Sequence, residues 1–187
     1  MFENVIKHYP DFPKPGIDFI DVLPFLQDKE AFGKAIAEID RLCTAPNIAT
    51  VEARGFLFTA PLLTCSDHVQ TIVPIRKKGK LPHAEGDLVK VLIEKEYGSD
   101  EVFYRRRDLA ACAHDGDTIE LTILDDLLAT GGTAMGIANA LVGEVIEGRR
   151  IHIKEFVFLV ELPALKGREV LEKIAPVRSL MSLEGVE

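Results

Sequence analysis

Long apolar runs are missing from this sequence of 187 residues. No stretch is long enough to cross a bilayer as a helix, and the N-terminal residues lack the apolar centre of a signal peptide. Cysteine is scarce too: Cys43, Cys65 and Cys112 lie far apart, and no two of them have metal-ligand spacing. These absences argue against a membrane protein and against a disulfide-rich secreted protein. We therefore expect reduced thiols and a cytoplasmic location.

An excess of positive charge is also missing. Lys and Arg total 22 against 30 Asp and Glu, which gives a formal net charge of -8. Binding to a nucleic-acid backbone depends on many cationic contacts, so we expect no nucleic-acid partner. The patterns GxxxxGKS/T and GxGxxG do not occur in the sequence. Their absence removes the usual support for a nucleoside triphosphate or dinucleotide site.

What is present is typical of an ordinary globular protein, with 47% apolar and 28% charged residues. The length suits one domain with a sizeable core, and no repeat, low-complexity tract or linker divides the chain. We therefore expect a single domain over residues 1–187. The five histidines are scattered without ligand spacing, and we interpret them as structural or surface residues.

Apolar strands alternate with amphipathic helices along the chain. The pattern predicts strands at 47–53, 69–75, 118–124 and 151–160, and helices at 28–43, 54–65 (interrupted near Pro61) and 132–147. Such alternation predicts an α/β fold with a parallel sheet covered by helices on both faces. Ligands of these sheets bind beyond the carboxyl ends of the strands.

Two segments depart from this alternation. Residues 88–108 have the pattern of two strands around the turn "YGSD", which predicts an antiparallel flap. The proline-rich stretch "PDFPKPG", residues 10–16, cannot be helical. We expect it to separate a short N-terminal helix from an extended segment.

The stretch "ILDDLLATGGT", residues 123–133, joins one of these strands to the helix that follows. Backbone N–H groups and the helix dipole favour an anion at such a helix N-terminus. Gly131 and Gly132 let the backbone approach an oxygen closely, and Thr130 and Thr133 add hydroxyl donors. The alternative is an ordinary strand-to-helix turn in which Gly is punctuation and Asp is a cap.

Asp125 and Asp126 would repel a phosphate placed directly on them. Slightly upstream, they can instead accept hydrogen bonds from sugar hydroxyls or approach a magnesium ion held by phosphates. A ligand with a phosphate at one end and a diol in the middle satisfies both halves of the motif. Ribose 5-phosphate has that layout.

Cations follow two other predicted strands. The segment "IRKKGKLP" contains Arg76, Lys77, Lys78 and Lys80. Arg54 follows the strand at 47–53. A cationic cluster at a strand end suits the dense charge of a pyrophosphate, and a solvated basic loop is the alternative.

"ILDDLLATGGT" is similar to the motif with which type I phosphoribosyltransferases bind phosphoribosyl pyrophosphate (PRPP). Its "LLATGGT" form looks most like that of the adenine phosphoribosyltransferases. Four further segments support this resemblance, in the family's order: "PDFPKPGIDF", "VEARGFLF", "IRKKGKLP" with "KEYGSD", and "VELPALKGREVL". Together they extend over nearly the whole chain.

The resemblance implies the type I phosphoribosyltransferase fold: a central parallel sheet flanked by helices, an antiparallel flexible flap, and a small hood from about residues 1–27 and 161–187. Residues 83–107 match the family's mobile catalytic loop, which closes over substrates and excludes water from a reactive sugar cation. In the family, the segment that matches Glu52–Ala53 contacts pyrophosphate and often contains a non-proline cis peptide.

The resemblance also implies roles for individual residues. Glu96 and Tyr97 match a catalytic pair whose carboxylate interacts with N7 of adenine while N9 attacks the anomeric carbon. Considered alone, Glu96 is a surface carboxylate at a hairpin turn. The expected ligands of ribose and its phosphate are Asp125, Asp126, Ala129, Thr130, Gly131, Gly132 and Thr133, and those of pyrophosphate are Arg54, Arg76, Lys77 and Lys80. Mg²⁺ would be held mainly through the substrate, with no dedicated set of protein ligands.

The base segment departs from the family. Adenine enzymes commonly have "FRD" after the "PGxx" turn, with the arginine near the base pocket, whereas this chain has Phe19, Ile20 and Asp21. Asp18 stands where the family is often aliphatic and where backbone groups commonly read the adenine edge. We expect Ile17, Asp18 and Phe19 to form the base site, with adenine preferred. The alternative is a shift toward 6-oxopurines, whose N1–H could donate to Asp18.

The resemblance implies magnesium-dependent purine salvage by a homodimer: adenine and PRPP give AMP and pyrophosphate through an oxocarbenium-like state. A phosphoribosyltransferase for hypoxanthine, guanine or xanthine is an alternative within the enzyme class. A PRPP-binding regulatory protein is a rival from another class. Such proteins commonly carry an added DNA-binding domain, for which residues 1–27 are too short.

Overall fold

The structure is a computed structural model that describes residues 2–95 and 98–184. Its strands are β1 (Lys7–Pro10), β2 (Asp18–Asp21), β3 (Asn47–Val51), β4 (Thr71–Lys77), β5 (Leu88–Lys95), β6 (Gly98–Arg105), β7 (Thr118–Leu128), β8 (Val145–Ile146), β9 (Arg149–Glu161) and β10 (Val177–Ser182). Its helices are α1 (Lys29–Leu42), α2 (Arg54–Thr59), α3 (Leu62–Cys65), α4 (Arg106–Ala110), α5 (Gly132–Val142) and α6 (Gly167–Leu171). Short 3-10 turns occur at Leu23–Gln27 and Pro163–Leu165. No helix in these ranges is both long enough and apolar enough to span a membrane.

One large sheet has the strand order β10-β9-β7-β3-β4-β6-β5, with β8 added antiparallel to β9. All neighbours from β10 to β4 are parallel. From β4 onward the pairs with β6 and β5 are antiparallel. The predicted α/β class, with a parallel sheet and an antiparallel flap, is therefore confirmed.

Helices cover both faces of the parallel strands. Successive residues of a strand point to opposite faces, so Ile48 of β3 belongs to the buried cluster that contains Ile36 of α1. Its neighbour Ala49 belongs to the cluster that contains Ile137 and Leu141 of α5. β3 is buried along its whole length, as expected for a central parallel strand.

The strand that carries the two aspartates is longer than predicted. β7 continues to Leu128, because Leu127 pairs with Val160 and Leu128 pairs with Glu161 of β9. The prediction that it ends at Leu124 was therefore wrong, and Asp125 and Asp126 lie inside a strand. The next helix is shorter than predicted: α5 ends at Val142, and the chain returns to the sheet edge as β8.

The predicted N-terminal helix was wrong as well. Lys7–Pro10 forms β1, which pairs antiparallel with β2 in a separate two-stranded sheet. The many prolines of this region bias preceding residues toward extended backbone, which favours a strand pair over a helix. In the flap, β6 begins at Gly98, so Ser99 and Asp100 of the predicted turn lie in a strand.

Candidate active site

Three neighbouring parallel strands end at the same edge of the sheet. β7, β3 and β4 are neighbours in the sheet. One of the candidate segments from the sequence lies at the end of each of these strands. β7 leads into the glycine turn, β3 into Arg54, and β4 into the cationic loop. This carboxyl edge is where ligands of α/β sheets bind.

The glycine turn surrounds a small cavity. A space of about 100 Å³ is lined by Asp125, Phe158 and residues 127–134. Gly131 precedes α5 in a left-handed conformation, with φ 79, which glycine adopts without steric cost. The first N–H groups of a helix have no intrahelical partner, so the start of α5 offers donors to an anion. The structure thus brings residues 129–133 together with Asp125.

Asp126 does not line that cavity and instead contacts Arg54. Its side chain is buried, and Arg54 Nε lies 2.8 Å from Asp126 Oδ2. Arg54 Nη1 also donates to the carbonyl oxygen of Ile20 at 3.2 Å. The guanidinium lies 5.3 Å from the ring centre of Phe19, in a cation–π arrangement. Arg54 therefore connects the end of β7 to the predicted base segment.

The side chains of Asp125 and Asp126 are close together in a confined place. Burial raises the pKa of Asp125 well above its usual value, and repulsion from Asp126 raises it further. Burial also raises the pKa of Asp126, although the nearby Arg54 opposes that shift. Hydroxyl donors or a cation placed beside the pair would relieve this repulsion. A ribose diol is one ligand group that does so.

Gly55, to which the sequence assigned no role, allows this close assembly. A Cβ atom on Gly55 would come within 2.7 Å of Thr50 Oγ1 and 3.0 Å of Asp125 Oδ1. The start of α2 can therefore approach β7 only because residue 55 lacks a side chain. The sequence contains no local signal for this contact, since Gly55 and Asp125 are distant along the chain.

Glu52 organises the cationic loop after β4. Its carboxylate accepts from Arg76 Nε at 2.5 Å and from the backbone N–H of Lys77 at 3.0 Å. Although burial alone would raise the pKa of Glu52, these hydrogen bonds lower it, so the side chain remains a carboxylate. Arg76 Nη1 also donates to the Lys80 carbonyl at 3.0 Å. Sequence reasoning missed this role of the Glu52 side chain. The peptide bond from Glu52 to Ala53 is cis, as is often the case in the family that the sequence resembles.

The predicted pyrophosphate residues fall into two places. Arg76 and Lys77 are the last residues of β4, and Lys80 follows in the turn; Lys77 and Lys80 are exposed. Arg54 instead contacts Asp126, the Phe19 ring and the Ile20 carbonyl. A pyrophosphate role for these four cations stays a prediction.

The predicted base segment is part of β2 and the turn before it. Asp18 Oδ2 lies 2.7 Å from His8 Nδ1 on β1. Phe19 packs edge-on against Phe12, with ring centres 5.2 Å apart. A cavity of about 270 Å³ next to these rings is lined by Tyr9, Phe12, Phe19, Asp21 and Leu23. Ile17 is exposed, whereas Ile20, which replaces the family's arginine, is buried.

The remaining expectations from the sequence concern the catalytic pair, the cysteines and a metal site. Glu96 and Tyr97 lie outside the described residues, so their catalytic role stays a prediction. Cys43, Cys65 and Cys112 are free thiols. Within residues 2–95 and 98–184, no group of three or more His, Cys, Asp or Glu side chains is arranged to hold a metal ion.

A parallel sheet with an antiparallel flap and an aspartate–glycine turn at its carboxyl edge defines the type I phosphoribosyltransferase fold. No protein-family model matches the chain. An adenine phosphoribosyltransferase of Synechococcus sp. strain CC9605 is 39% identical over 182 residues, which cover 96% of each chain. That of Halothermothrix orenii is 40% identical over 176 residues, covering 91% of this chain and 92% of its own.

Solved structures of adenine phosphoribosyltransferases are similar to this chain as well. The crystal structure of adenine phosphoribosyltransferase from Thermoanaerobacter pseudethanolicus matches with a TM-score of 0.79 at 36% identity, covering 97% of this chain and 98% of its own. The enzyme from Saccharomyces cerevisiae, complexed with adenine and an imino-altritol bisphosphate, matches with a TM-score of 0.72 at 34% identity and 94% coverage of each chain. The chain belongs to the adenine phosphoribosyltransferase family.

Proposed function

We propose that this protein transfers the 5-phosphoribosyl group of PRPP to adenine, giving AMP and pyrophosphate in purine salvage. The observation that carries the proposal is the convergence of three segments at one sheet edge. The aspartate pair and the glycine turn lie at the end of β7, Arg54 follows β3, and the cationic residues lie at the end of β4, so that three neighbouring strands contribute in a member of this family. One end suits a phosphate, the middle a ribose, and the other end a pyrophosphate.

At the phosphate end, Ala129, Thr130, Gly131, Gly132 and Thr133 bind the 5′-phosphate through backbone N–H groups and hydroxyls. Asp125 and Asp126 accept hydrogen bonds from the ribose hydroxyls. Burial raises the pKa of both carboxyls, and hydrogen bonds donated by the ribose hydroxyls would stabilise their ionised forms and oppose that shift.

At the pyrophosphate end, Arg76, Lys77 and Lys80 take up the charge of the leaving group. Glu52 holds Arg76 and the Lys77 backbone in place, and the two lysine side chains remain exposed for the ligand. A closed loop from residues 83–107, carrying Glu96 and Tyr97, would exclude water while the sugar carries positive charge.

The base is bound beside Phe19, with its edge read by backbone groups of residues 17–19. The contact between Asp18 and His8 gives one carboxylate oxygen a protein partner, which reduces its availability to a 6-oxopurine. The other oxygen, Asp18 Oδ1, is buried and has no hydrogen-bond partner among the described residues. It is the specific observation that keeps a 6-oxopurine as the second candidate base.

Magnesium, the assembly state and the location complete the proposal. Bound Mg²⁺ would neutralise phosphate charge as pyrophosphate leaves. Asp125 and Asp126 are the described carboxylates that fit next to such an ion, because a cation relieves their mutual repulsion. We propose a homodimer that acts in the cytoplasm, with a hood from about residues 1–27 and 161–187.

A competition assay tests the base. Equal concentrations of adenine, hypoxanthine, guanine and xanthine are offered with PRPP and Mg²⁺ at limiting enzyme, and each nucleotide product is quantified. We expect AMP to dominate. A higher kcat/KM for hypoxanthine or guanine would overturn the choice of adenine, and no product from any base would overturn the enzyme reading.

Arg54→Lys tests the connection between the ribose and the base. Lysine keeps the charge near Asp126 but cannot also stack on Phe19 and reach the Ile20 carbonyl. We expect the KM values of both adenine and PRPP to rise, each by about tenfold, the effect of roughly 1.4 kcal/mol. Arg41→Lys, on the exposed side of α1, is the matched control. Unchanged KM values for both substrates would show that Arg54 has no such role.

A further inference from the structure

The segment after β9, which contains the motif "LKGREVL", has no role in the proposed site. Its central glycine nevertheless lies directly against the phosphate turn. A Cβ atom on Gly167 would overlap the carbonyl oxygen of Ala129, and it would come within 2.7 Å of Leu128 Cδ1 and 3.0 Å of the Gly131 nitrogen. The turn and residue 167 are therefore in contact through backbone atoms.

The contact is reciprocal. A Cβ atom on Gly131 would come within 3.0 Å of the Gly167 carbonyl oxygen and 3.3 Å of Leu171 Cγ. Each glycine thus occupies space that a side chain on the other would need. A side chain added at either glycine could be accommodated only if the whole turn or the start of α6 were displaced.

Arg168 fixes the position of Gly167. Its Nε donates to Glu161 Oε1 at 2.8 Å, its Nη1 to the Val177 carbonyl at 2.6 Å, and its Nη2 to Ser179 Oγ at 3.0 Å. A second bond from Nη2 to Glu161 makes this pair bidentate, the geometry in which a guanidinium gives most directional support. Glu161 is only 5% exposed, so solvent competes weakly for it.

Glu161, which binds Arg168, is itself paired with the end of β7, the strand that precedes the phosphate turn. Glu161 pairs with Leu128 in the register of β9 and β7, and the Leu162 N–H donates to the Leu128 carbonyl at 2.9 Å. Leu128 immediately precedes the turn at 129–131. One end of the turn is therefore set by β9, and its outer side is set by Gly167.

We infer that Gly167 and Arg168 are positioning residues for the phosphate turn. Gly167 fixes where the backbone of Ala129 and Gly131 lies, and Arg168 holds Gly167 there through Glu161. Hydrogen bonds from backbone N–H groups weaken steeply with distance and angle, so a small displacement of the turn weakens phosphate binding. The inference rests on the proposed function, in which residues 129–133 bind the 5′-phosphate.

Gly167→Ala is the direct test. The added methyl must push the turn away, so we expect the Kd for AMP and the KM for PRPP to rise by roughly 10–100-fold, as for small displacements of binding groups. The KM for adenine should change little, because the atoms that the added methyl would meet belong to residues 128–131. AMP affinity is measured by calorimetry, substrate KM values by steady-state kinetics, and folding by thermal unfolding.

Gly33→Ala is the matched control. Gly33 lies in α1, and a Cβ atom there would have no heavy atom within 4 Å. We expect it to leave AMP affinity and both KM values at their wild-type levels. Arg168→Lys is the second variant, which keeps the positive charge but loses the bidentate geometry, and it decides the question if Gly167→Ala does not fold. We expect it to raise the Kd for AMP by about fivefold to tenfold, with little change in the KM for adenine.

Three outcomes would overturn the inference. The first is a folded Gly167→Ala protein that binds AMP as the wild type does. The second is an equal rise in the KM values of PRPP and adenine, which would indicate general disruption. The third is a wild-type protein that does not bind AMP at all, and this result would overturn the proposed function as well.

Discussion

Replacing Gly131 with valine should abolish measurable binding of AMP and PRPP while the protein stays folded. Gly131 has φ 79, where a β-branched residue is strongly disfavoured, and its Cβ position is 3.0 Å from the Gly167 carbonyl oxygen. Such strain costs about 1–3 kcal/mol, less than the roughly 5–15 kcal/mol stability of a typical domain. We expect the Kd for AMP to rise by at least about 100-fold.

Gly148→Val provides the control for backbone strain. Gly148 lies in the turn between β8 and β9 with φ 83, and a Cβ atom there meets nothing within 4 Å. Gly148→Val should lose the stability that backbone strain alone costs, and Gly131→Val should lose more because of its contact with Gly167, but only Gly131→Val should lose AMP binding in calorimetry. Unchanged AMP affinity in a folded Gly131→Val protein would remove the phosphate from this turn.

Glu96→Ala should lower kcat by about 10²–10⁴-fold, the usual contribution of a positioned acid–base group. The expectation follows from the family resemblance, in which the matching carboxylate handles the proton at N7 of adenine. PRPP affinity should change little, because the residue is expected to act at the base. Pre-steady-state measurement of AMP formation separates this chemical step from product release.

Glu147→Ala is the control for an ordinary surface carboxylate. Glu147 lies between β8 and β9, its side chain is 65% exposed, and it pairs with Arg149. Exposed pairs of this kind contribute little, so kcat should stay at the wild-type level. If Glu96→Ala behaves in the same way, Glu96 is also a surface carboxylate and the proton is handled elsewhere.

Periodicity was sufficient to predict the central architecture. The apolar segments that became β3, β4, β7 and β9 alternate with α1, α2 and α5 in the predicted order. Errors arose where pairing partners decided the outcome. Lys7–Pro10 is a strand because β2 pairs with it, and β7 reaches Leu128 because β9 continues beside it. Neither partner can be identified from local residue preferences.

In the candidate site, too, local features could be predicted from the sequence, whereas contacts between distant residues could not. The glycine turn and the cationic loop are contiguous in sequence and carry recognisable residue types. The ion pair of Arg54 with Asp126 and the contact of Gly167 with Gly131 join distant parts of the chain. Arg54 was assigned to pyrophosphate from its place after a strand, whereas its direction toward Phe19 depends on how three strands and a hairpin come together.

The contact between Gly131 and Gly167 also has a consequence for protein synthesis. Chains emerge from the ribosome N-terminus first, so residues 129–131 leave the tunnel well before the segment that supports them. Until Gly167, Arg168 and β10 have emerged, the turn lacks the backbone surface against which it packs. A released chain that ends at residue 166 should therefore already contain the complete phosphate motif and β9 but fail to capture AMP.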